Sequence, residues 1–332
     1  MILDVQDLRV HFPTADGPAR AVDGVSFSLD AQRTLCLVGE SGCGKTATAL
    51  ALLRLLPDAA AVSGSVRFEG ESLLDLSERR MRRVRGVGMA LIFQEPAASL
   101  NPIYRIGSQV AEAVHLHRRL GHRAAWDTAL DLLRDVQMPD AGRVARQYPH
   151  EISGGMQQRA AIALALAGRP RLLLADEPTT ALDVTVQAEI LALLRRLRAQ
   201  HGMALLLITH DLGIVAEMAD TVAVMYAGKI IEQGSVERVF RQPLHPYTAA
   251  LLSCRPRPGQ VGRLLSIEGT VPPATHFPAG CRFRERCGYR GDDCLQEPPL
   301  VEHAPEHRSA CWHWEQLAGE GNLPKCPGTS EV

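Results

Sequence analysis

One short segment has the residue pattern of a phosphate-binding loop. Residues 39–46 read Gly-Glu-Ser-Gly-Cys-Gly-Lys-Thr and fit G-x-x-x-x-G-K-[ST]. The apolar run Thr34–Val38 predicts a strand before the loop, and Gly44–Leu56 predicts a helix after it, as the pattern requires. Glycines let backbone N–H groups turn toward an anion, and the helix N-terminus adds partial positive charge. We therefore expect Lys45 to contact nucleotide phosphates and Thr46 to hold Mg²⁺. A plain glycine-rich turn is the competing interpretation.

Two acidic residues follow a second apolar stretch. Asp176 and Glu177 come directly after Arg171–Ala175, which predicts a buried strand. In open α/β sheets, ligands bind at the carboxyl ends of the strands. Asp176 is expected to contact Mg²⁺, and Glu177 to accept a proton from an attacking water molecule. An acid pair at this position is also a common helix cap, but the phosphate-binding loop favours catalysis.

Three further features could contact a phosphate. Ser153-Gly154-Gly155-Met156 precedes an Ala/Leu-rich helix, and Ser153 is a good N-cap. Two glycines in the first turn cost roughly 1 kcal/mol each relative to alanine, which favours close approach of a phosphate over capping alone. His210 follows a predicted strand, Ala204–Ile208, and could bond a γ-phosphate oxygen, although a lone histidine is more often structural. Gln94 follows another predicted strand and could contact Mg²⁺ or the water.

The elements that must position these residues are those of an α/β protein. Short strands with turns fill the first 95 residues, and residues of about 96–170 are mainly helical by pattern. A strand, a long helix and a strand over 171–208 predict a parallel βαβ unit. A short hairpin is predicted over 221–233. After Pro243 the content of Pro, Gly, Cys and His rises, which predicts a loop-rich module over about 245–315.

Four of the eight cysteines lie close together in that module, namely Cys281, Cys287, Cys294 and Cys311. A disulfide framework is not expected in a reducing cytosol, so the clustering favours metal ligation. The spacing lacks the short C-x₂₋₄-C pairs of most structural zinc sites. Thiolates suit iron–sulfur clusters, and four complete a [4Fe–4S] unit. The spacing alone slightly favours iron–sulfur over zinc, with unligated thiols as the third alternative.

Composition excludes some classes of protein. Lys+Arg is 36 and Asp+Glu is 37, a net charge of −1 that argues against a nucleic-acid-binding role. The longest apolar run, Ala160–Ala167, is far shorter than the roughly 18 residues of a membrane-spanning helix. Acids near the N-terminus do not fit a signal peptide, so a cytoplasmic location is expected.

In order and spacing, these motifs resemble the ATP-binding subunit of an ABC transporter. The resemblance covers residues of about 2–240 and includes Ala181-Leu182-Asp183. Gln94–Pro102 and His245–Thr248 look like the oligopeptide/dipeptide permease branch, which includes nickel importers. The cysteine-rich tail is similar to that branch's C-terminal extension, where four cysteines hold a [4Fe–4S] cluster.

The resemblance implies a domain organisation. It implies a P-loop NTPase (RecA-like) α/β core with an antiparallel β subdomain and an inserted helical subdomain at about 96–170, all within a nucleotide-binding domain of residues 1–244. An oligopeptide-permease-type extension, residues 245–320, would carry the four-cysteine site. Residues 321–332 would form a flexible tail.

The resemblance also implies a role for each motif residue. The catalytic residues would be Glu177 as base, His210 as switch residue, and Gln94. ATP would contact Phe12 through adenine, and Gly39, Ser41, Gly42, Cys43, Gly44, Lys45 and Thr46 through phosphates. A partner's nucleotide would contact Ser153, Gly154, Gly155 and Met156, with Asp183 coupling the two sites. Thr46, Gln94 and Asp176 would surround Mg²⁺, and Cys281, Cys287, Cys294 and Cys311 would hold the cluster, with Zn²⁺ as the alternative.

The resemblance implies an ATPase that couples the conversion of ATP and water into ADP and phosphate to the import of di- or oligopeptides. Its partners would be a second ATPase subunit (a heterodimer, with a homodimer as alternative), two integral membrane subunits and an extracytoplasmic solute-binding protein, with no nucleic acid. It would be peripheral at the cytoplasmic face of the membrane. Nickel or other small solutes, a soluble ABC-type ATPase not tied to transport, and a non-catalytic iron–sulfur regulator are the alternatives.

Overall fold

The structure, a computed structural model, describes residues 1–180, 182–254, 265–319 and 329–331. The chain forms two compact units. The first comprises Met1–Leu3, Leu29–Thr34 and Phe68–Ile208, and the second comprises Asp4–Ser28, Leu35–Arg67 and Thr209–Val332. Among the residues described, no helix is both long enough and apolar enough to span a bilayer.

The strands, in chain order, are β1 Leu3–Thr14, β2 Gly17–Leu29, β3 Thr34–Val38, β4 Ala61–Phe68, β5 Glu71–Ser72, β6 Met89–Ile92, β7 Leu172–Asp176, β8 Ala204–Thr209, β9 Thr221–Tyr226, β10 Lys229–Ser235, β11 Leu265–Ile267, β12 Val301–Ala304, β13 His307–Ser309 and β14 Thr329–Glu331.

The α-helices are α1 Lys45–Leu52, α2 Glu78–Val87, α3 Pro96–Ser99, α4 Ile106–Arg118, α5 His122–Asp135, α6 Ala141–Val144, α7 Gly154–Ala165, α8 Val184–His201, α9 Leu212–Met218, α10 Val236–Arg241, α11 Pro246–Ser253 and α12 Trp314–Gly319. Short 3₁₀ turns cover Pro149–Glu151, Leu166–Gly168, Arg284–Arg286 and Asp292–Leu295.

The first unit is built on three parallel strands, β6, β7 and β8. Ala175 of β7 lies opposite Ile92 of β6 on one side, and Asp176 lies opposite Ile208 of β8 on the other. Every residue of β7 and β8 is buried. Strands covered on both faces need apolar residues at every position, which explains the unbroken leucine runs. The strand–helix–strand pattern predicted from the sequence is confirmed, and Asp176 comes at the carboxyl end of β7.

The second unit contains two sheets. In one, β3 pairs with β9 in parallel, β9 and β10 form an antiparallel hairpin, and β13 then β12 continue antiparallel from β10. In the other, β1 lies between β2 and β4. All residues of β3 are buried, so the loop between β3 and α1 begins at the end of a buried strand.

Two expectations about elements were wrong in detail. The helix predicted over 44–56 ends at Leu52, because Arg54 has a left-handed backbone with φ of 51° that cannot continue a helix. The module predicted to be loop-rich from residue 245 begins with the buried helix α11, whose Pro246 occupies the first turn where proline is favoured. The predicted tail over 321–332 lies outside the described residues apart from β14, which pairs with β11.

Candidate functional site

The phosphate-binding loop of the second unit connects β3 to α1. Its residues Gly42 and Gly44 have φ of 80° and 106°, values that strain any residue with a side chain. A Cβ atom on Gly44 would lie 2.2 Å from the carbonyl oxygen of Ala21. Gly39 is equally confined, since a Cβ there would lie 2.2 Å from the carbonyl oxygen of Met225. The loop thus needs glycine for both curvature and close packing.

The side chains of the loop divide into buried and exposed sets. Lys45 is 5% exposed, and its ammonium donates to the carbonyl oxygens of Gly39 at 2.7 Å and Glu40 at 3.0 Å. Cys43 is fully buried, and burial raises the pKa of its thiol. Ser41 and Thr46 are exposed. The lysine is therefore held over the loop, while the two hydroxyl groups face outward.

Two other predicted residues lie in the same unit. Phe12 is half-buried on β1, and the exposed His210 directly follows β8. The second unit thus contains the predicted phosphate-binding loop, the predicted adenine-contacting ring and the predicted switch histidine.

The first unit brings Gln94 and Glu177 together. The Gln94 amide nitrogen lies 3.3 Å from a Glu177 carboxylate oxygen, and the Thr180 hydroxyl donates to that same oxygen at 2.9 Å. Glu177 has a left-handed backbone with φ of 44°, and its N–H donates to the carbonyl of Ile208 at 2.9 Å. Strained backbone of this kind clusters at active sites. Asp176, 5% exposed, immediately precedes it.

Thr180 is a site residue that the sequence reasoning missed. The signal in the sequence is its position three residues after Glu177, a spacing at which the threonine hydroxyl donates to the carboxylate at 2.9 Å. Its neighbour Ala181 lies outside the described residues.

The start of α7 is capped as predicted, and its glycines have different surroundings. The Ser153 hydroxyl accepts from the N–H of Met156 at 3.4 Å. A Cβ atom on Gly155 would lie 2.7 Å from Cγ1 of Val186 on α8. On Gly154, which is exposed, a Cβ would meet only a leucine methyl at 3.8 Å. Helix packing thus favours glycine at position 155, a reason that was not predicted from the sequence.

Asp183 is the N-cap of α8. Its side chain accepts from the N–H of Val186 at 3.0 Å. Because Gly155 packs against the same valine, the first turns of α7 and α8 lie together. The structure therefore brings the predicted signature and the predicted coupling aspartate into one place.

The four clustered cysteines line one small cavity in the second unit. Cys281 donates its N–H to the carbonyl of Cys294 at 3.0 Å, and none of the four cysteines is in a disulfide. Burial raises the pKa of the Cys281 thiol and raises that of Cys311 to about 12. Within the described ranges, no three His, Cys, Asp or Glu side chains are arranged to hold a metal ion. The cysteines converge, but not in a metal-holding geometry.

The chain matches two known protein families and is similar to proteins of those families. Residues 22–180 match the family described as ABC transporter, and residues 231–294 match the oligopeptide/dipeptide transporter C-terminal region. A probable peptide ABC transporter ATP-binding protein of Sinorhizobium fredii is 50% identical over 96% of both chains. A putative peptide import ATP-binding protein of Brucella melitensis is 46% identical over 96% of this chain and 98% of its own.

Solved structures share the fold. A dimeric ATP-binding cassette bound to ADP and Pi aligns with a TM-score of 0.64 and 24% identity, over 71% of this chain and 99% of its own. The cbiO1 protein of Clostridium perfringens, part of an ABC transporter complex, aligns with a TM-score of 0.61 and 26% identity, over 72% and 90%. The predicted P-loop NTPase fold of mixed α/β type is thereby confirmed. The chain belongs to the family of ABC transporter ATP-binding proteins.

Proposed function

We propose that this ATPase is the energy-coupling subunit of an importer of di- or oligopeptides. The observation that carries the catalytic part is the Glu177 carboxylate, which Gln94 and Thr180 contact at the end of a buried strand. The names of the relatives, which refer to peptide transport or import, support the solute class.

In this proposal, ATP binds to the loop of residues 39–46. The phosphates would be surrounded by the backbone N–H groups of Gly39, Ser41, Gly42, Cys43 and Gly44. The Cys43 thiol would not contact them, because it is fully buried. Lys45 would neutralise the β and γ phosphates, and Phe12 would stack on adenine.

The residues proposed to hold Mg²⁺ offer suitable donor atoms. Thr46, Gln94 and Asp176 offer a hydroxyl, an amide oxygen and a carboxylate, the hard oxygen donors that Mg²⁺ prefers. When bound, the ion would neutralise charge on the phosphate oxygens.

Glu177 would act as the general base. A water oxygen attacks the γ phosphorus, its proton passes to the Glu177 carboxylate, and the bond to the β–γ bridging oxygen breaks to release ADP. The hydrogen bonds from Gln94 and Thr180 would orient the carboxylate, and His210 would contact a γ-phosphate oxygen.

The test is Glu177→Gln, because the amide keeps an acceptor for the Thr180 hydroxyl but cannot take a proton. ATP binding should be retained, and steady-state phosphate release should fall by roughly 10²–10⁴-fold. Glu112→Gln, an exposed change on α4, is the control and should leave turnover unchanged. Near-normal hydrolysis by Glu177→Gln would remove that residue from the base role.

A second cassette would complete the site. The exposed Ser153 and Gly154 at the start of α7, with Gly155, Met156 and Asp183, would meet the nucleotide held by the partner. We expect a heterodimer, two integral membrane subunits, a solute-binding protein and a position at the cytoplasmic face of the membrane. Co-purification of the tagged chain with two membrane proteins, and peptide uptake by the reconstituted complex, test this assembly.

The cysteine module would hold a [4Fe–4S] cluster. Support comes from the four cysteines that line one cavity and form no disulfide; within the described residues their side chains are not arranged as a metal site. The cluster would supply an inorganic cross-link between chain segments or a redox centre, and binding must displace the thiol protons. Anaerobically purified protein should absorb near about 400 nm and contain iron and sulfide. Colourless protein with stoichiometric zinc would overturn this assignment.

A further inference from the structure

The phosphate-binding loop is tied to the C-terminal segment through one residue, Glu40. Its carboxylate oxygens accept hydrogen bonds from one guanidinium nitrogen of Arg286 at 3.1 and 3.2 Å. Its backbone N–H donates to the Tyr247 hydroxyl at 3.0 Å. Its carbonyl oxygen accepts from the Lys45 ammonium at 3.0 Å. Glu40 therefore connects the phosphate-contacting lysine to two residues that lie 207 and 246 positions farther along the chain.

Contacts with groups other than Glu40 fix the position of the Arg286 side chain. Its side chain is only 6% exposed, and its Nε donates to the carbonyl of Glu268 at 2.8 Å. Another nitrogen donates to the carbonyl of Ile267 at 3.3 Å, and the nitrogen that contacts Glu40 also reaches the Tyr226 hydroxyl at 3.3 Å. A guanidinium anchored in this way sets the position of its carboxylate partner, and charge-assisted hydrogen bonds of this kind are stronger than neutral ones.

Tyr247 is equally immobile. Its side chain is completely buried, and its ring lies 4.7 Å from that of Tyr226 and 5.4 Å from that of Phe283, centroid to centroid. Tyr226 and Phe283 in turn meet edge to face at 5.3 Å. Such aromatic contacts fix ring orientation, so the Tyr247 hydroxyl is presented to Glu40 at a fixed point.

We propose that Arg286 and Tyr247 are positioning residues for the phosphate-binding loop, through which the C-terminal segment sets the affinity for the triphosphate. The inference rests on the proposed nucleotide site. Tyr247 orients the peptide unit between Gly39 and Glu40, and the carbonyl oxygens of these two residues accept from the Lys45 ammonium. Arg286 neutralises and fixes a carboxylate that would otherwise repel the phosphates.

The charge argument gives a test by double substitution in the full chain. Arg286→Gln leaves the Glu40 carboxylate unpaired and should raise the Kd for a fluorescent ATP analogue by about tenfold. Glu40→Gln alone should have a smaller effect, because no uncompensated charge remains. The double variant Arg286→Gln/Glu40→Gln should bind more tightly than Arg286→Gln alone. A purely structural loss would not be relieved by a second substitution.

Two further variants keep the test decisive. Tyr247→Phe removes only the hydroxyl and keeps the aromatic packing, so it should fold and still raise the Kd by a few-fold. Arg290→Gln, an exposed change in the same segment, is the control and should bind like the unmodified chain. Unchanged Kd values in Arg286→Gln and Tyr247→Phe, or a double variant no better than Arg286→Gln, would overturn the inference alone. Failure of the unmodified chain to bind the analogue would instead overturn the proposed nucleotide site.

Discussion

The two glycines at the start of α7 allow a test in which stability and activity are expected to change independently. On Gly155, an added methyl carbon would lie 2.7 Å from Cγ1 of Val186, about 1 Å closer than an ordinary carbon–carbon contact. Relief requires a shift between α7 and α8, and overpacking of this kind costs about 1–3 kcal/mol. The gain in helix propensity offsets up to about 1 kcal/mol. Gly155→Ala should therefore be destabilised by about 0–3 kcal/mol.

Gly154→Ala should behave differently. Its added methyl would meet only Leu182, at an ordinary 3.8 Å, and its backbone needs no positive φ. The same propensity gain is then unopposed, so the free energy of unfolding should be unchanged or rise by up to about 1 kcal/mol. However, that methyl projects from an exposed position where the partner's nucleotide is proposed to bind, so ATPase activity should fall despite the preserved fold.

The assay is thermal unfolding of each variant alone, followed by phosphate release in the assembled complex. A loss of 1 kcal/mol lowers Tm by about 2–4 °C in domains of this size. Gly155→Ala should unfold at a lower temperature, and Gly154→Ala should not, while losing at least about tenfold in turnover. Full ATPase activity in a stable Gly154→Ala would show that this face does not meet the nucleotide. A raised Tm for Gly155→Ala would refute the packing argument.

Three further results are expected. Gly44→Ala should destabilise the chain more than Gly42→Ala in thermal unfolding, because both are strained by about 1–2 kcal/mol but only the former also meets a backbone carbonyl at 2.2 Å. His307→Ala should cost about 2–3 kcal/mol in urea unfolding, since it removes a 2.8 Å hydrogen bond from the fully buried Glu232. Burial raises the pKa of Asp23, but its hydrogen bond and ion pairs with arginines outweigh this and lower it overall. The stabilising contribution of the ionised Asp23 is therefore complete above about pH 4 and is lost as the pH falls below it. In Asp23→Asn, the measured free energy of unfolding should fall less steeply over that acidic range.

The buried sheets were predictable because their signal is local. The strands β7 and β8 carry apolar residues at every position, and a long helix lies between them. The buried helix α11 was missed because His-Pro-Tyr-Thr at its start is not typical of a helix interior. Its stability comes from tertiary contacts, including the Tyr247 ring against Phe283, which no local window contains.

The site residues could be predicted where phosphate chemistry fixes their spacing in the sequence. They could not be predicted where a contact joins residues that only the fold brings together. The loop of residues 39–46 and the pair at 176–177 satisfy patterns that follow from phosphate chemistry. The contact between Gln94 and Glu177 joins positions 83 residues apart and depends on the parallel register of β6 and β7. The packing reason for Gly155 depends on Val186 of α8, which lies outside any local pattern around residue 155.

The segment after Pro243 differs in composition from what precedes it, yet within the second unit it contacts both β10 and the phosphate-binding loop. The Glu232 carboxylate on β10, fully buried, accepts from two backbone N–H groups at the entry to α11 and bonds His307 on β13. A buried carboxylate left without such partners is costly, so β10 depends on residues that follow it by 12 to 75 positions. Arg286 extends the same dependence to the phosphate-binding loop through Glu40. A segment whose composition suggests an appendage thus completes the charge balance of β10 and of the loop proposed to bind ATP.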